Sequence, residues 1–301
     1  MKCGVSRKWV LAVLCGFVFA MTAEASQVIY VDDDVSAGGN GSSWQNSCKH
    51  LQDALAIAAT AAKPVEIRVA QGVYKPDQGA DVTPGDRAAA FQLLGGVLLK
   101  GGYAGAGAPD PNACDPERYE TVLSGDLKGD DVEIAEPNDP FGSFDEPTRV
   151  DNSVHVVVGS GVDDTATIDG FVIAAGYSSP VPPSIGYDGG GMLNESGSPK
   201  VLRCRFRDNI ARSRGGAVCN RDSAAAFSDC VFHRNFATGG GAMYNDNSQV
   251  VVVNCAFTGQ VAPSEGGAIT DRQGSRLSLK GCVFTSNKSG EGGAIKDYRD
   301  C

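Results

Sequence analysis

The sequence predicts an all-β solenoid of stacked parallel coils, each of about 25 residues and three short strands, with an N-terminal helix as a cap. One repeating signature is a glycine pair followed by a small and then an apolar residue. It begins at Gly189, Gly215, Gly240, Gly266 and Gly292, which gives steps of 26, 25, 26 and 26 residues. A fixed period this short is typical of solenoids, in which each repeat is completed by its neighbours.

A second signature, Cys-x-Phe, lies midway between the glycine pairs and is followed by Asn or Gln three residues after the Phe. Its members are Cys204, Cys230, Cys255 and Cys282; Phe206, Phe232, Phe257 and Phe284; and Asn209, Asn235, Gln260 and Asn287. Cys and Phe two residues apart on a strand point the same way, so we expect both to form buried columns. Neighbouring parallel strands offer poor disulfide geometry, which favours mostly reduced thiols over stacked disulfides.

Each coil is predicted to contain three strands. The glycine turn opens the first, as at Ala242 to Tyr244; Val250 to Val253 represents the second, and Cys-x-Phe forms the third. The residue before each Cys is predicted to make a bend. This bend column contains Arg203, Asp229, Asn254 and Gly281, three of which are types that tolerate left-handed backbone.

A column of Asn194, Asn220 and Asn245, continued by Asp271 and Asp297, occupies equivalent positions after the glycine turns. Stacked side-chain amides can bond to one another along a solenoid. We therefore expect a structural polar ladder. The alternative is that Asp271 and Asp297 hold a cation.

The N-terminal half fits the same plan less regularly. A stripe of Leu51, Ala54, Leu55 and Ala58 predicts a helix from Lys49 to Ala62 that plugs the open end of the solenoid. Strands are predicted at Val28 to Val31, Val65 to Ala70, Gly96 to Leu99, Thr121 to Ser124 and Val154 to Val158. Ile168 to Ile173 echoes the later repeats and predicts Phe171 and Ile173 in the inward columns.

Two insertions rich in Pro, Gly, Asp and Glu, at 104–118 and 127–150, are predicted to project from the coils as loops. Residues 26–301 are interpreted as one domain, with a cap and irregular coils over 26–180 and regular repeats over 189–301. The sequence reaches Cys301 within its fifth repeat. This predicts either a truncated product or a last coil covered end to end by another chain.

Residues 1–25 have the pattern of a secretory signal. Lys2, Arg7 and Lys8 precede a short apolar run from Trp9 to Met21, and Ala23-Glu-Ala25 is a small-x-small cleavage site. Removal of this segment takes away three basic residues and one acid, so the formal charge of −10 becomes −12. We expect an exported extracellular or surface protein without a membrane span in its mature part. The acidity argues against nucleic acid as a partner.

The repeats resemble those of polymorphic outer membrane proteins, in Gly266 to Ile269 and in the Phe-x-x-Asn elements that start at Phe206, Phe232 and Phe284. The opening Ile29-Tyr-Val-Asp32, Gly41-Ser-Ser-Trp44 and Leu51-Gln-Asp-Ala-Leu55 is similar to the leader of many secreted bacterial β-helix proteins. The resemblance implies a right-handed parallel β-helix with a pectin-lyase-like fold. Such proteins include adhesins as well as pectate lyases, polygalacturonases and other polysaccharide lyases, so fold alone does not choose a function.

A basic segment stands out in this acidic chain. Residues 200–234 contain 8 Lys and Arg against 3 Asp. Because Cys204 and Phe206 point inward, Arg205 and Arg207 should point outward, and His233 falls in the Arg207 column one coil later. One hypothesis is that these side chains, with Arg203, Arg212 and Arg214, bind a uronate or sulfated glycan. The alternative is that the arginines pair with acidic loops of the same molecule.

The function most consistent with these patterns is an adhesin-like scaffold that contacts anionic glycans or surface proteins. The competing hypothesis is a polysaccharide lyase or glycoside hydrolase, with His233 as a base and Arg207 neutralising a substrate carboxylate. No cofactor is implied. The acidic runs Asp32 to Asp34, Asp130-Asp131 and Asp163-Asp164 are interpreted as solvated loop charge, because none has calcium-loop spacing; Ca²⁺ binding is the alternative.

Overall fold

The computed structural model describes residues 27–36, 38–132, 146–179, 187–272 and 274–298, so the predicted signal segment lies outside the described residues. Within these ranges the chain is a parallel β-helix with four sheets, numbered here in the order in which a coil passes through them. Every strand pairs in parallel with the equivalent strand of the next coil.

The strands are labelled in chain order. Sheet 1 contains β1 (Gln27–Val31), β2 (Val65–Ala70), β5 (Val97–Tyr103), β8 (Thr167–Asp169), β12 (Lys200–Leu202), β16 (Ala226–Ser228), β20 (Gln249–Val253) and β24 (Arg276–Lys280). Sheet 2 contains β3 (Gly72–Tyr74), β6 (Thr121–Ser124), β9 (Val172–Ala174), β13 (Arg205–Arg207), β17 (Val231–His233), β21 (Ala256–Thr258) and β25 (Val283–Thr285). Sheet 3 contains β10 (Tyr177–Ser178), β14 (Ile210–Arg214), β18 (Phe236–Gly239), β22 (Val261–Glu265) and β26 (Lys288–Glu291). Sheet 4 contains β4 (Phe91–Gln92), β7 (Val157–Val158), β11 (Met192–Glu195), β15 (Val218–Arg221), β19 (Met243–Asp246), β23 (Ile269–Asp271) and β27 (Ile295–Asp297).

The regular coils have four strands, so the prediction of three strands per coil was wrong by one. The missed strands are those of sheet 3. In the regular coils each of them begins directly after the Asn or Gln that follows the Cys-x-Phe signature. Their sequences, such as Phe-Ala-Thr-Gly in β18 and Val-Ala-Pro-Ser-Glu in β22, lack the polar and apolar alternation by which a half-buried strand is recognised. Their pairing is also irregular, because the register shifts between β14 and β18 and again between β18 and β22.

The helix α1 (Leu51–Thr60) is two residues shorter at each end than the sequence predicted. Its predicted stripe of Leu51, Ala54, Leu55 and Ala58 is buried in the main core, where the helix contacts β1, β2 and β4 at the N-terminal end of the solenoid. Residues on either side have extended backbone, and His50 provides no side-chain cap. Two short 3₁₀ turns, Trp44–Asn46 and Pro147–Arg149, complete the described helical structure.

Most other predicted elements agree with the structure. Val65–Ala70 and Thr121–Ser124 are strands with the predicted bounds, whereas only Val157 and Val158 of the predicted strand from Val154 are paired. Ile173 pairs with Phe206, which places it in the inward column as predicted. No helix among the described residues is long and apolar enough to cross a membrane.

The core contains the columns that the repeats define. Phe206, Phe232, Phe257 and Phe284 form one continuous stack with centroid separations of 5.0, 4.5 and 4.8 Å and interplanar angles of at most 7°. Beside them lie the thiols of Cys204, Cys230, Cys255 and Cys282, which are free in the structure. The Cys230 amide donates to Cys255 Sγ at 3.4 Å, and burial raises the pKa of Cys204 to about 12.

The asparagine column of sheet 4 runs along the solenoid as a hydrogen-bonded ladder. In sheet 4, Asn194 Nδ2 donates to Asn220 Oδ1 and Asn220 Nδ2 donates to Asn245 Oδ1, both at 2.8 Å. Asn245 Nδ2 in turn donates to Asp271 Oδ1 at 3.2 Å. The three asparagines are fully buried, so the ladder satisfies amides that would otherwise lack partners.

The bend column has the left-handed backbone that the sequence predicts. The φ angles are 48° at Arg203, 55° at Asp229, 54° at Asn254 and 66° at Gly281. Arg203 adopts this conformation although it has no local side-chain bond of the kind that Asp and Asn offer. Its guanidinium instead forms two bonds to Asp169, of 2.8 and 2.6 Å.

Candidate functional site

The outward face of sheet 2 runs along the solenoid, and near its N-terminal end two insertions border it and make it a shallow groove. Its register defines two outward columns, one of Val73, Val122, Val172, Arg205, Val231, Ala256 and Val283, and one of Ser124, Ala174, Arg207, His233, Thr258 and Thr285. Seven strands about 4.8 Å apart give this face a length of about 29 Å. Apart from the arginines and His233, its side chains are short.

Two insertions border this face on opposite sides. Residues 104–120 connect sheet 1 to sheet 2 and place Pro116 and Glu120 beside Arg205. Residues 125–132 and 146–152 follow β6 and lie at the turn from sheet 2 to sheet 3, where Asn152 Nδ2 donates to the Ala175 carbonyl at 2.8 Å. The described parts of the two predicted loops therefore form the two walls of the sheet 2 groove.

The groove deepens into a cleft of about 480 Å³ at its N-terminal end. The cleft is lined by Val73, Val122, Ser124, Asp126, Asp131, Val132, Arg149, Ala174, Ala175, Arg207 and Asp208. Three of these lining residues are aspartates and two are arginines, of which Arg207 was predicted from the sequence as a site residue. His233 is exposed on the next coil and does not line the cleft.

A buried charged group anchors the wall of this cleft. Arg149, only 3% exposed, lies 3.4 Å from Asp131 Oδ2 through Nη1 and donates to the Asp208 carbonyl at 3.2 Å. Asn152 donates to Asp131 Oδ2 at 2.9 Å. Burial raises the pKa of Asp131 to about 6, although Arg149 and Asn152 oppose the shift.

Three atoms of this group, Asp131 Oδ1, Arg149 Nε and Asn152 Oδ1, are buried without a hydrogen-bond partner among the described residues. Buried polar atoms are normally paired, so exceptions mark places where water or a ligand completes the bonding. Asp131 and Arg149 line the same cleft as Arg207, and Asn152 lies behind them, bonded to Asp131. Sequence reasoning missed Arg149 and Asn152, because neither lies in a repeat column or a motif.

The carboxylates of Asp126, Asp130 and Asp131 approach one another, with ligand oxygens within 4.8 Å. Asp126 already accepts the amides of Gly129 at 2.6 Å, Asp130 at 3.2 Å and Asp131 at 3.2 Å. These bonds close a tight turn and account for the grouping, while Arg149 supplies the counter-charge to Asp131. The Ca²⁺ prediction for this acidic run gains no independent support from the geometry.

The predicted arginine patch is divided between two faces. Arg205 and Arg207 lie on β13 and pair with Glu120, at 2.9 and 3.5 Å. Arg203 lies at the bend before them. Arg212 and Arg214 belong to β14 in sheet 3, and the Arg214 guanidinium stacks over the Tyr244 ring at 4.8 Å. The six residues therefore do not form one continuous patch, because the unpredicted sheet 3 strand turns the chain away from sheet 2.

The other acidic runs are bound into the backbone. Asp32 accepts the amides of Asp34 at 3.1 Å and Ala106 at 2.6 Å, and Asp33 accepts the Val73 amide at 3.1 Å. Burial raises the pKa of both carboxyls. Asp163 accepts the Thr165 amide at 3.0 Å. Asp32 and Asp33 therefore connect their loop to other coils, whereas Asp163 closes a local turn.

Comparison with known proteins agrees with this architecture. Residues 151–295 match the family described as right handed beta helix region, so this part of the chain is a right-handed parallel β-helix. Among solved structures, the crystal structure of pectate lyase Pel9A matches with a TM-score of 0.41 and 10% sequence identity, over 89% of this chain and 79% of that one. No curated protein matches the sequence. Similarity at this level concerns the fold and carries no argument about activity.

Proposed function

We propose that the protein is an exported β-helix scaffold that binds an extended glycan along the outward face of sheet 2. The observation that carries this proposal is the face of sheet 2 itself, about 29 Å long and bordered near its N-terminal end by an insertion on either side. A linear polymer of several sugar units fits such a surface better than a compact ligand does. The predicted secretory segment supports the proposal, because an exported protein would meet such polymers.

The side chains of the groove suit a polymer held by many weak contacts. Val73, Val231 and Val283 are 50, 39 and 60% exposed and offer apolar surface to sugar rings. Arg207, His233 and Thr258 follow one another in the second column and offer hydrogen bonds at successive coils. Regular spacing of polar groups at about 4.8 Å is close to the repeat of a sugar unit in an extended chain.

The test is retention of the protein on immobilised pectate, alginate, chondroitin and neutral polysaccharides. We expect the protein to be retained on at least one polymer. Replacement of both Arg207 and His233 with Gln in one variant should abolish that retention. The matched control replaces Arg276 and Gln249 of sheet 1, which are exposed on another face. Retention that is unchanged by the sheet 2 variant, or absent on every polymer, would contradict the proposal.

The second candidate function is polysaccharide degradation, and the cleft favours it. A carboxyl group with a pKa of about 6 can exchange protons near neutral pH, and Asp131 lines the same cleft as Arg207. An arginine beside such a group could neutralise the carboxylate of a uronate substrate. His233, the base expected from the sequence, lies outside the cleft lining.

Enzyme activity is tested by incubation of the polymers with the protein, with and without Ca²⁺. Absorbance of unsaturated products reports a lyase and new reducing ends report a hydrolase. If the protein degrades a polymer, we expect Asp131→Asn to abolish product formation and His233→Gln to leave it largely intact. Retention without product favours the binding scaffold.

A further inference from the structure

We propose that Glu120 occupies a carboxylate-binding position in the groove, formed by Arg205 and Arg207, and that a uronate-containing glycan binds there by displacing it. This inference rests on the proposed function. Glu120 is the residue before β6, at the end of the insertion that borders sheet 2.

The geometry is that of one carboxylate shared by two guanidinium groups. Glu120 Oε2 lies 2.9 Å from Arg205 Nη2 and Glu120 Oε1 lies 3.5 Å from Arg207 Nη2. Arg205 Nη2 also donates to the Pro116 carbonyl at 3.3 Å, which fixes the position of that guanidinium. Arginines two apart on one strand project together, and each takes one oxygen of a carboxylate that lies across them.

The sequence of the intervening strand makes room for this arrangement. Between β6 and β13 lies β9, whose outward residues in the two arginine columns are Val172 and Ala174. Both side chains are short, so the arginines reach back over β9 to Glu120. A carboxylate at this point therefore lies over the floor of the groove, where a bound polymer would pass.

The contact is exchangeable because it is exposed to water. The side chains of Arg205, Arg207 and Glu120 are 39, 47 and 44% exposed. The Glu120 carboxylate forms no other hydrogen bond or ion pair among the described residues. Exposed ion pairs contribute little to stability, so an external carboxylate can replace Glu120 at small cost. The buried pair of Arg149 and Asp131 in the same groove offers no such exchange.

The carboxylate of a uronic acid is the chemical equivalent of the glutamate side chain. Where it replaces Glu120, the two guanidinium contacts are kept and only the internal ion pair is lost. A neutral glycan has no group with which to displace Glu120, whereas a polyuronate presents a carboxylate on each sugar unit. Glu120 therefore selects for negatively charged glycans. It also weakens their binding, because it must be displaced first.

The experiment measures binding of a short galacturonate oligomer and of a neutral oligomer of equal length by calorimetry. The proteins are the wild type, Glu120→Gln, the matched control Glu117→Gln and the double variant Arg205→Gln/Arg207→Gln. Glu117 is an exposed glutamate of the same insertion, so its replacement removes the same charge without emptying the position. Circular dichroism checks that each variant is folded.

We expect Glu120→Gln to raise affinity for the galacturonate oligomer about three- to tenfold, and Glu117→Gln to leave it within about twofold. The double arginine variant should lose this binding. Equal affinity of wild type and Glu120→Gln, with loss in the double variant, would overturn the role of Glu120 and leave the proposed function standing. Binding of the neutral oligomer alone would overturn the carboxylate position but not the groove, and no binding of either oligomer to any protein would overturn the carboxylate position, while retention on the immobilised polymers decides the proposed function separately.

Discussion

A single asparagine of the sheet 4 ladder, Asn220, shows how much depends on one buried amide. It accepts from Asn194 and donates to Asn245, both at 2.8 Å, and is fully buried. We expect Asn220→Ala to lower the free energy of unfolding by about 2–4 kcal/mol, because it leaves a buried donor and a buried acceptor unpaired. Urea denaturation followed by circular dichroism measures the change.

The matched control is Gln249→Ala in sheet 1, an exposed amide with no side-chain bond among the described residues. Its effect should stay within about 0.5 kcal/mol. Similar losses for the two variants would mean that the ladder bonds add nothing beyond strand propensity. Sequence columns alone place Asn220 in this ladder, because hydrogen bonding between identical residues of successive repeats follows from the period.

Asp131 should make the free energy of unfolding fall as the pH rises. Burial raises its pKa from 3.8 to about 6, so the folded protein binds the proton more tightly than the unfolded chain. Stability from this group is therefore present below about pH 4 and is lost as pH rises to about 6. Relative to Asp131→Asn, the wild type should lose up to about 3 kcal/mol over that interval.

The check is urea denaturation of both proteins at several pH values across this window. Above about pH 6 the difference between them should be constant, because the carboxyl is then ionised in both states. Parallel stability profiles from about pH 4 to about pH 7 would show that Asp131 is not desolvated. No sequence pattern predicts this shift, since it arises from burial by the insertion around Arg149.

At the scale of elements, the Phe column links four strands of sheet 2 into one stack. Phe232 lies between Phe206 and Phe257, with both neighbouring rings nearly parallel to it. We expect Phe232→Ala to destabilise the protein by about 3–5 kcal/mol through lost packing and a residual cavity. Val231→Ala, one residue away but 39% exposed, should cost less than about 1 kcal/mol. Equal costs in calorimetric unfolding would contradict the inward placement of the column.

The strands of three sheets could be predicted from the sequence, whereas those of sheet 3 could not. Sheets 1, 2 and 4 follow from alternating apolar residues and from glycine turns, which are local signals repeated at a fixed period. Sheet 3 has no such alternation, so its strands are not predicted. The sequence prediction therefore groups Arg212 and Arg214 with Arg205, although they lie on a different sheet. The groove walls depend on contacts between residues far apart in sequence, such as Arg205 with Glu120 and Arg149 with Asp208.

At the scale of the whole molecule, one hydrophobic core runs from Ile29 in the first strand to Ile269 in β23. It contains Cys48 and three cysteines of the central column, whereas Cys114 is exposed on an insertion. Burial raises the pKa of Cys48 to about 11 and that of Cys204 to about 12, so both remain protonated near neutral pH. In the native protein we expect an alkylating reagent to modify Cys114 and to leave Cys48, Cys204, Cys230 and Cys255 unmodified, as read by peptide mass spectrometry.

The same cysteines test whether the solenoid unfolds as the single domain that the sequence predicts. Cys48 lies near the N-terminal end of the core and Cys255 lies several coils away, so they report on distant parts of it. Brief alkylation at increasing urea should expose both at one midpoint if the core is cooperative. A solenoid is stabilised by contacts between adjacent coils, and weak coupling between them would let one end melt first. Separate midpoints for Cys48 and Cys255 would therefore contradict the single domain and locate the boundary between two folding units.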